Sequence, residues 1–119
     1  MDDIRILVAN EPRTYREVLA ATVQALRPQL KVTAAEPEDL DQAVGCLDPH
    51  LVVCSRHSAV VQAHALTWVM LYPNGENHAE LSIAGQQTTI PGIGFARLLD
   101  AIDQTARLAQ AASERMPHT

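Results

Sequence analysis

Two unbroken apolar runs constrain this chain more than any other feature. Arg5-Ile6-Leu7-Val8-Ala9 and Leu51-Val52-Val53-Cys54 are short, rich in branched side chains and free of polar alternation. Runs of this kind suit strands buried on both faces, and such strands require helices above and below the sheet. The second run stops at Ser55. In a doubly wound α/β domain, the residue just past a central strand's carboxyl end points into the ligand crevice.

The segments between these runs carry a helical period. Tyr15, Val18, Leu19, Thr22, Val23 and Leu26 recur at spacings of three and four, which predicts one buried helix face, and Pro28 closes it. Lys31 to Ala35 reads as a second strand, less apolar and so nearer a sheet edge. Acidic Glu36, Glu38 and Asp39 suit a helix N-terminus, followed by Leu40, Ala43, Val44 and Leu47 on a buried face. Asp48-Pro49 ends that helix, and the run at Leu51 follows directly.

Beyond Ser55 the plan changes. A crossover between parallel strands needs a dozen or more residues, yet only Arg56 to Ala65 precedes the next strand, Leu66 to Tyr72. Ser58 to His64 therefore predicts a short helix or a tight loop. Pro73-Asn74-Gly75-Glu76-Asn77 is a turn signal, and Ala79 to Ile83 with Gln87 to Ile90 reads as a β-hairpin around Gly85-Gln86. Pro91-Gly92 leads into a final helix with Phe95, Leu98, Leu99, Ile102, Ala106 and Ala109 on one face. The expectation is a single α/β domain over residues 1–112 with a frayed tail over 113–119. Its sheet is doubly wound and mostly parallel, with a shortened third crossover and a late hairpin where a fourth helix would stand.

Charge and composition exclude several classes. The formal net charge is −5, which leaves no basic stripe for nucleic acid and no attraction to an anionic membrane. No run approaches the roughly 18 apolar residues of a membrane span, and the Ile4–Ala9 run is too short for a signal peptide. Cys46 and Cys54 have neither a metal-ligand spacing nor a redox spacing. A reduced cytoplasmic protein with two free thiols is the expectation.

Several segments resemble the receiver domain of bacterial response regulators. Ile6 to Leu19 aligns without a gap with that family's opening strand, acidic pair and first helix, and Asp48 to Ser55 is similar to its third strand. Thr89-Ile90-Pro91 and Leu98 to Ile102 resemble its last strand, lysine-proline corner and final helix. The resemblance implies a flavodoxin-like fold and a role in signal transduction. It also implies a metal-assisted phosphorylation site, whose positions here are Asn10, Glu11, Ser55, Tyr72 and Ile90, with Arg56 beside them. Those positions are degenerate. The magnesium-holding acidic pair is reduced to Asn10-Glu11, and Ser55 cannot form an acyl phosphate. Tyr72 replaces the switch hydroxyl and Ile90 replaces the lysine. Lys31 is the chain's single lysine and opens the second strand, so no register shift restores the site. Phosphoryl transfer rests on positioned metal and positive charge. The expectation is therefore a pseudo-receiver with no catalytic residue, metal or cofactor, acting on a protein partner or as a homodimer.

Other constellations have plainer readings. Cys54-Ser55-Arg56-His57-Ser58 is followed by Val60 where a cysteine phosphatase loop has its nest-closing arginine, no glycine relaxes the turn, and no nucleophile-elbow glycines flank Ser55. Cys54 reads as an inert core thiol. His50, His57, His64 and His78 match no compact ligand motif and read as solvated or locally hydrogen-bonded. The alternative function is a small-ligand or anion-binding domain whose crevice is formed by Asn10, Glu11, Ser55, Arg56 and Tyr72.

Overall fold

The computed structural model describes residues 4–56, 58–71, 78–91 and 94–115, with 113–115 described by backbone alone. One six-stranded sheet carries strands β1 (Arg5–Ala9), β2 (Lys31–Ala34), β3 (Leu51–Cys54), β4 (Thr67–Leu71), β5 (Ala79–Ile83) and β6 (Gln86–Ile90). Their spatial order is β2-β1-β3-β4-β5-β6. The first four are parallel, whereas β5 and β6 pair antiparallel. Helices α1 (Arg13–Leu26), α2 (Leu40–Leu47), α3 (Ala59–His64) and α4 (Phe95–Arg115) complete the domain, with a 3₁₀ turn at Pro37–Asp39.

The two layers of core follow from strand pleat. Ile6 and Val8 of β1, Leu51 and Val53 of β3, and Val69 and Leu71 of β4 pack with Leu19 and Val23 of α1 and with Leu98 and Ile102 of α4. Their alternates, Leu7, Ala9, Val52, Cys54, Trp68 and Met70, pack against Leu40 and Val44 of α2 and Val61 of α3. Two-residue periodicity sends successive side chains to opposite faces, so a continuous apolar run fills both layers. The chain moves from β1 outward to β2 and then back past β1 to β3. Right-handed crossovers therefore put α1 and α2 on opposite faces. This reversal makes the carboxyl ends of β1 and β3 a topological switch point, where open α/β sheets place a ligand crevice.

Two expectations are corrected. The buried stripe of α1 is Arg16, Leu19 and Val23, while Tyr15, Val18 and Leu26 are exposed, as is Leu47 at the end of α2. In α1, apolarity alone points to the wrong phase, because the charged Arg16 occupies the stripe. Arg16 tolerates burial by reaching Oε2 of Glu36 at 3.2 Å and the carbonyl of Asn10 at 3.4 Å. Secondly, the strand ending at Ile90 does not adjoin β4, as its likeness to a receiver's last strand implies. Residues 72–78 are too few for a crossover, so β5 turns back antiparallel to β4, and β6 returns through Ala84-Gly85 to the sheet edge. Both turn residues have positive φ (51° and 87°), as a two-residue hairpin requires. Helix α4 runs by its backbone through Arg115, and residues 116–119 of the expected tail lie outside the described residues.

The short third crossover is a helix of six residues. Ser58 caps it, accepting from the Val61 amide at 3.2 Å while donating to Asp41 Oδ1 at 2.6 Å. A bidentate pair, Arg27 Nε and Nη2 to the two Asp103 oxygens at 2.8 Å each, ties the end of α1 to α4. The Arg27 hydrogen bonds hold the Asp103 carboxyl below its ordinary range. Among the described residues, no helix is long and apolar enough to cross a membrane.

Candidate functional site

Register places the candidate residues. Ala9 pairs with Cys54, so the residues that follow, Asn10-Glu11 and Ser55-Arg56, leave neighbouring strands side by side. The Glu11 amide donates to Ser55 Oγ at 2.9 Å, and Arg56 Nη2 donates to Glu11 Oε1 at 2.7 Å. These contacts bridge the loops that leave β1 and β3. Both members of the Glu11–Arg56 pair are about half exposed, so water screens it and it orders the loops more than it stabilises the fold.

Asn10, the residue before that bridge, is 0% exposed. Neither its Oδ1 nor its Nδ2 meets a hydrogen-bond partner among the described residues. Buried amides are almost always satisfied, and an unmade pair costs about 1–3 kcal/mol. The Asn10 backbone carbonyl does receive the Arg16 guanidinium. Arg16 is the residue that sequence reasoning missed here. The signal for it is helical phase, since Arg16 stands three residues before Leu19 and seven before Val23, on the stripe that both bury.

The other expected members do not all converge. Ile90 ends β6, paired with Ala79 at the far edge of the sheet. Three strand spacings, about 14 Å, separate β6 from β3, so Ile90 takes no part in the crevice. The likeness of Thr89-Ile90-Pro91 to a strand adjoining β4 would put it there, but β5 occupies that position. Lys31 opens β2 opposite Arg5, at the end of the sheet away from Ser55. Tyr72 and His57 lie outside the described residues, as do the turn over 73–77 and Gly92.

The chemistry available is limited by these contacts. Ser55 Oγ accepts a backbone amide, and that contact supplies no base to activate it. Glu11 is engaged by Arg56, and the Asn10 side chain is fully buried, so this donor set does not fit a magnesium ion. No group of three or more His, Cys, Asp or Glu suited to a metal occurs among the described residues. Burial pushes the Cys54 thiol up to about 12. Cys46 is exposed. Iodoacetamide at pH 8 is therefore expected to modify one thiol in the folded protein and two after denaturation, counted by intact mass. Rapid native modification of Cys54 would contradict its burial. His50 accepts the Arg5 amide through Nδ1 at 3.0 Å, a local role at the amino end of β3.

No protein-family model matches the sequence, and neither a curated protein nor a solved structure matches the chain.

Proposed function

We propose that this chain is a receiver-like signalling module that has lost phosphoryl transfer and acts through protein contacts. The reading takes β2-β1-β3-β4 with α1 to α3 as a flavodoxin-like core, with the β5–β6 hairpin replacing the usual continuation. What carries it is the Glu11–Arg56–Ser55 bridge at the carboxyl ends of β1 and β3. It holds one carboxylate, already paired with a cation, where the related chemistry needs free carboxylates, a metal and a lysine. The module reads as a cytoplasmic protein whose output depends on the surfaces it presents.

Incubation with acetyl phosphate and Mg²⁺ is expected to leave the intact mass unchanged. Ser55→Asp is expected to remain unmodified as well, because it restores the acceptor without restoring the metal site or the lysine. A stoichiometric, acid-stable or hydroxylamine-labile phosphoryl adduct on the native chain would overturn the reading.

One observation favours a second reading, a small-ligand binder. The buried Asn10 amide offers a donor and an acceptor that no described residue uses, beside the crevice. A ligand that opens the Glu11–Arg56 bridge would reach it, and binding would raise the melting temperature.

A further inference from the structure

The outer edge of the sheet carries its own pairing instructions. The Ala84 amide donates to the Leu66 carbonyl at 2.9 Å, on the β4 side of the ladder. Antiparallel alternation then turns the backbone groups of Ala79, Leu81 and Ile83 toward β6. Their partners Ile90, Thr88 and Gln86 face back to β5. The amides and carbonyls of Gln87 and Thr89 are left pointing outward.

Edge strands in native proteins are usually blunted by charge, proline or a covering element. The opposite edge follows that rule, since β2 begins at Lys31. Strand β6 does not. Its sequence, Gln86-Gln87-Thr88-Thr89-Ile90, has no charge and no proline, and its first four residues are exposed. In a chain of net charge −5, an uncharged edge is a place where two copies approach without like-charge contact.

We propose that β6 pairs antiparallel with β6 of a second copy of this chain, about a two-fold axis at Thr88. Only this register brings both outward residues into hydrogen-bonded pairs, Gln87 with Thr89 and Thr89 with Gln87 across the axis. Shifting it to centre on Gln87 places Gly85 of the turn in the ladder. Centring on Thr89 places Pro91, which has no amide proton, opposite Gln87. Thr88 then faces its own counterpart as a close, non-hydrogen-bonded pair, an arrangement that favours Thr–Thr contact. The two-fold is perpendicular to the sheet, so both α4 helices lie on one face of a continuous sheet. Between each α4 and the seam runs a groove of about 370 Å³, lined in part by Ile83, Thr88, Gln104 and Leu108.

This names the partner for the contact-based reading above and rests on it for its meaning, while its geometry is that of the edge alone. The experiment is sedimentation of the whole chain over a concentration series. A reversible dimer is expected, and Thr88→Lys and Thr88→Glu are each expected to weaken it about tenfold or more by opposing like charges across the axis. Mixing the two variants is expected to restore a heterodimer. Thr89→Pro removes an outward amide without touching the ladder to β5, and it is expected to give a monomer with an unchanged far-ultraviolet spectrum. A chain that stays monomeric up to about 1 mM overturns the proposal. So does a dimer indifferent to both charge variants, an outcome that leaves the contact-based reading standing. Failure of that reading shows separately, as phosphorylation by acetyl phosphate.

Discussion

Asn10→Ala is expected to stabilise the protein by about 1–2 kcal/mol, against the usual direction of a truncation in a buried site. The Asn10 side chain is fully buried, and neither polar atom has a partner among the described residues. Removing it relieves a desolvation penalty of about 1–3 kcal/mol. The cavity left by the smaller side chain costs less than about 1 kcal/mol at the usual rate per volume. Residue 10 is not among the positions of positive φ, so alanine meets no backbone strain there. The melting temperature should rise by about 4–10 °C. A fall in stability would mean that the amide is satisfied in solution, and Asn10 would then offer a crevice ligand no unused donor or acceptor. The same variant separates the two functional readings: a crevice ligand that shifts the melting of the native chain should fail to shift that of Asn10→Ala.

The second large effect lies on α1. Leu19→Ala is expected to lose about 2–5 kcal/mol, a substantial fraction of a typical domain's stability, because Leu19 is 3% exposed within the core against β1. Its neighbour Val18 is 58% exposed. Val18→Ala is expected to change stability by no more than about 0.5 kcal/mol, and alanine's better helix propensity favours a slight gain. Urea denaturation of the pair measures the phase of the helix directly. Equal losses at both positions would mean that the helix presents a different face.

That pair also shows where sequence reading works. The period of α1 is plain, since apolar residues at three and four residue spacings fit a helix and little else. Its phase is not. Tyr15, Val18 and Leu26 look more apolar than Arg16, and among the described residues the Glu36 carboxylate and the Asn10 carbonyl receive the buried Arg16. Glu36 comes from the loop after β2 and meets Arg16 only once the sheet has formed. The site shows the same division. Asn10, Glu11, Ser55 and Arg56 are legible because they follow two apolar runs that pair in register. Ile90 is not, because a short strand pattern says nothing about which neighbour the strand takes.

Read along the chain, local chemistry suffices for the alternation of strands and helices, the burial of β1 and β3 on both faces, the hairpin and the absence of a lysine from the site. These depend on periodicity, turn chemistry and residue identity, which a linear chain displays. Assembly was needed for the rest: that β5 intervenes between β4 and β6, that Arg16 is buried, and that Asn10 meets no partner among the described residues. Each of these is a contest between distant groups for the same space or the same hydrogen bond, and it is settled only when the sheet has come together.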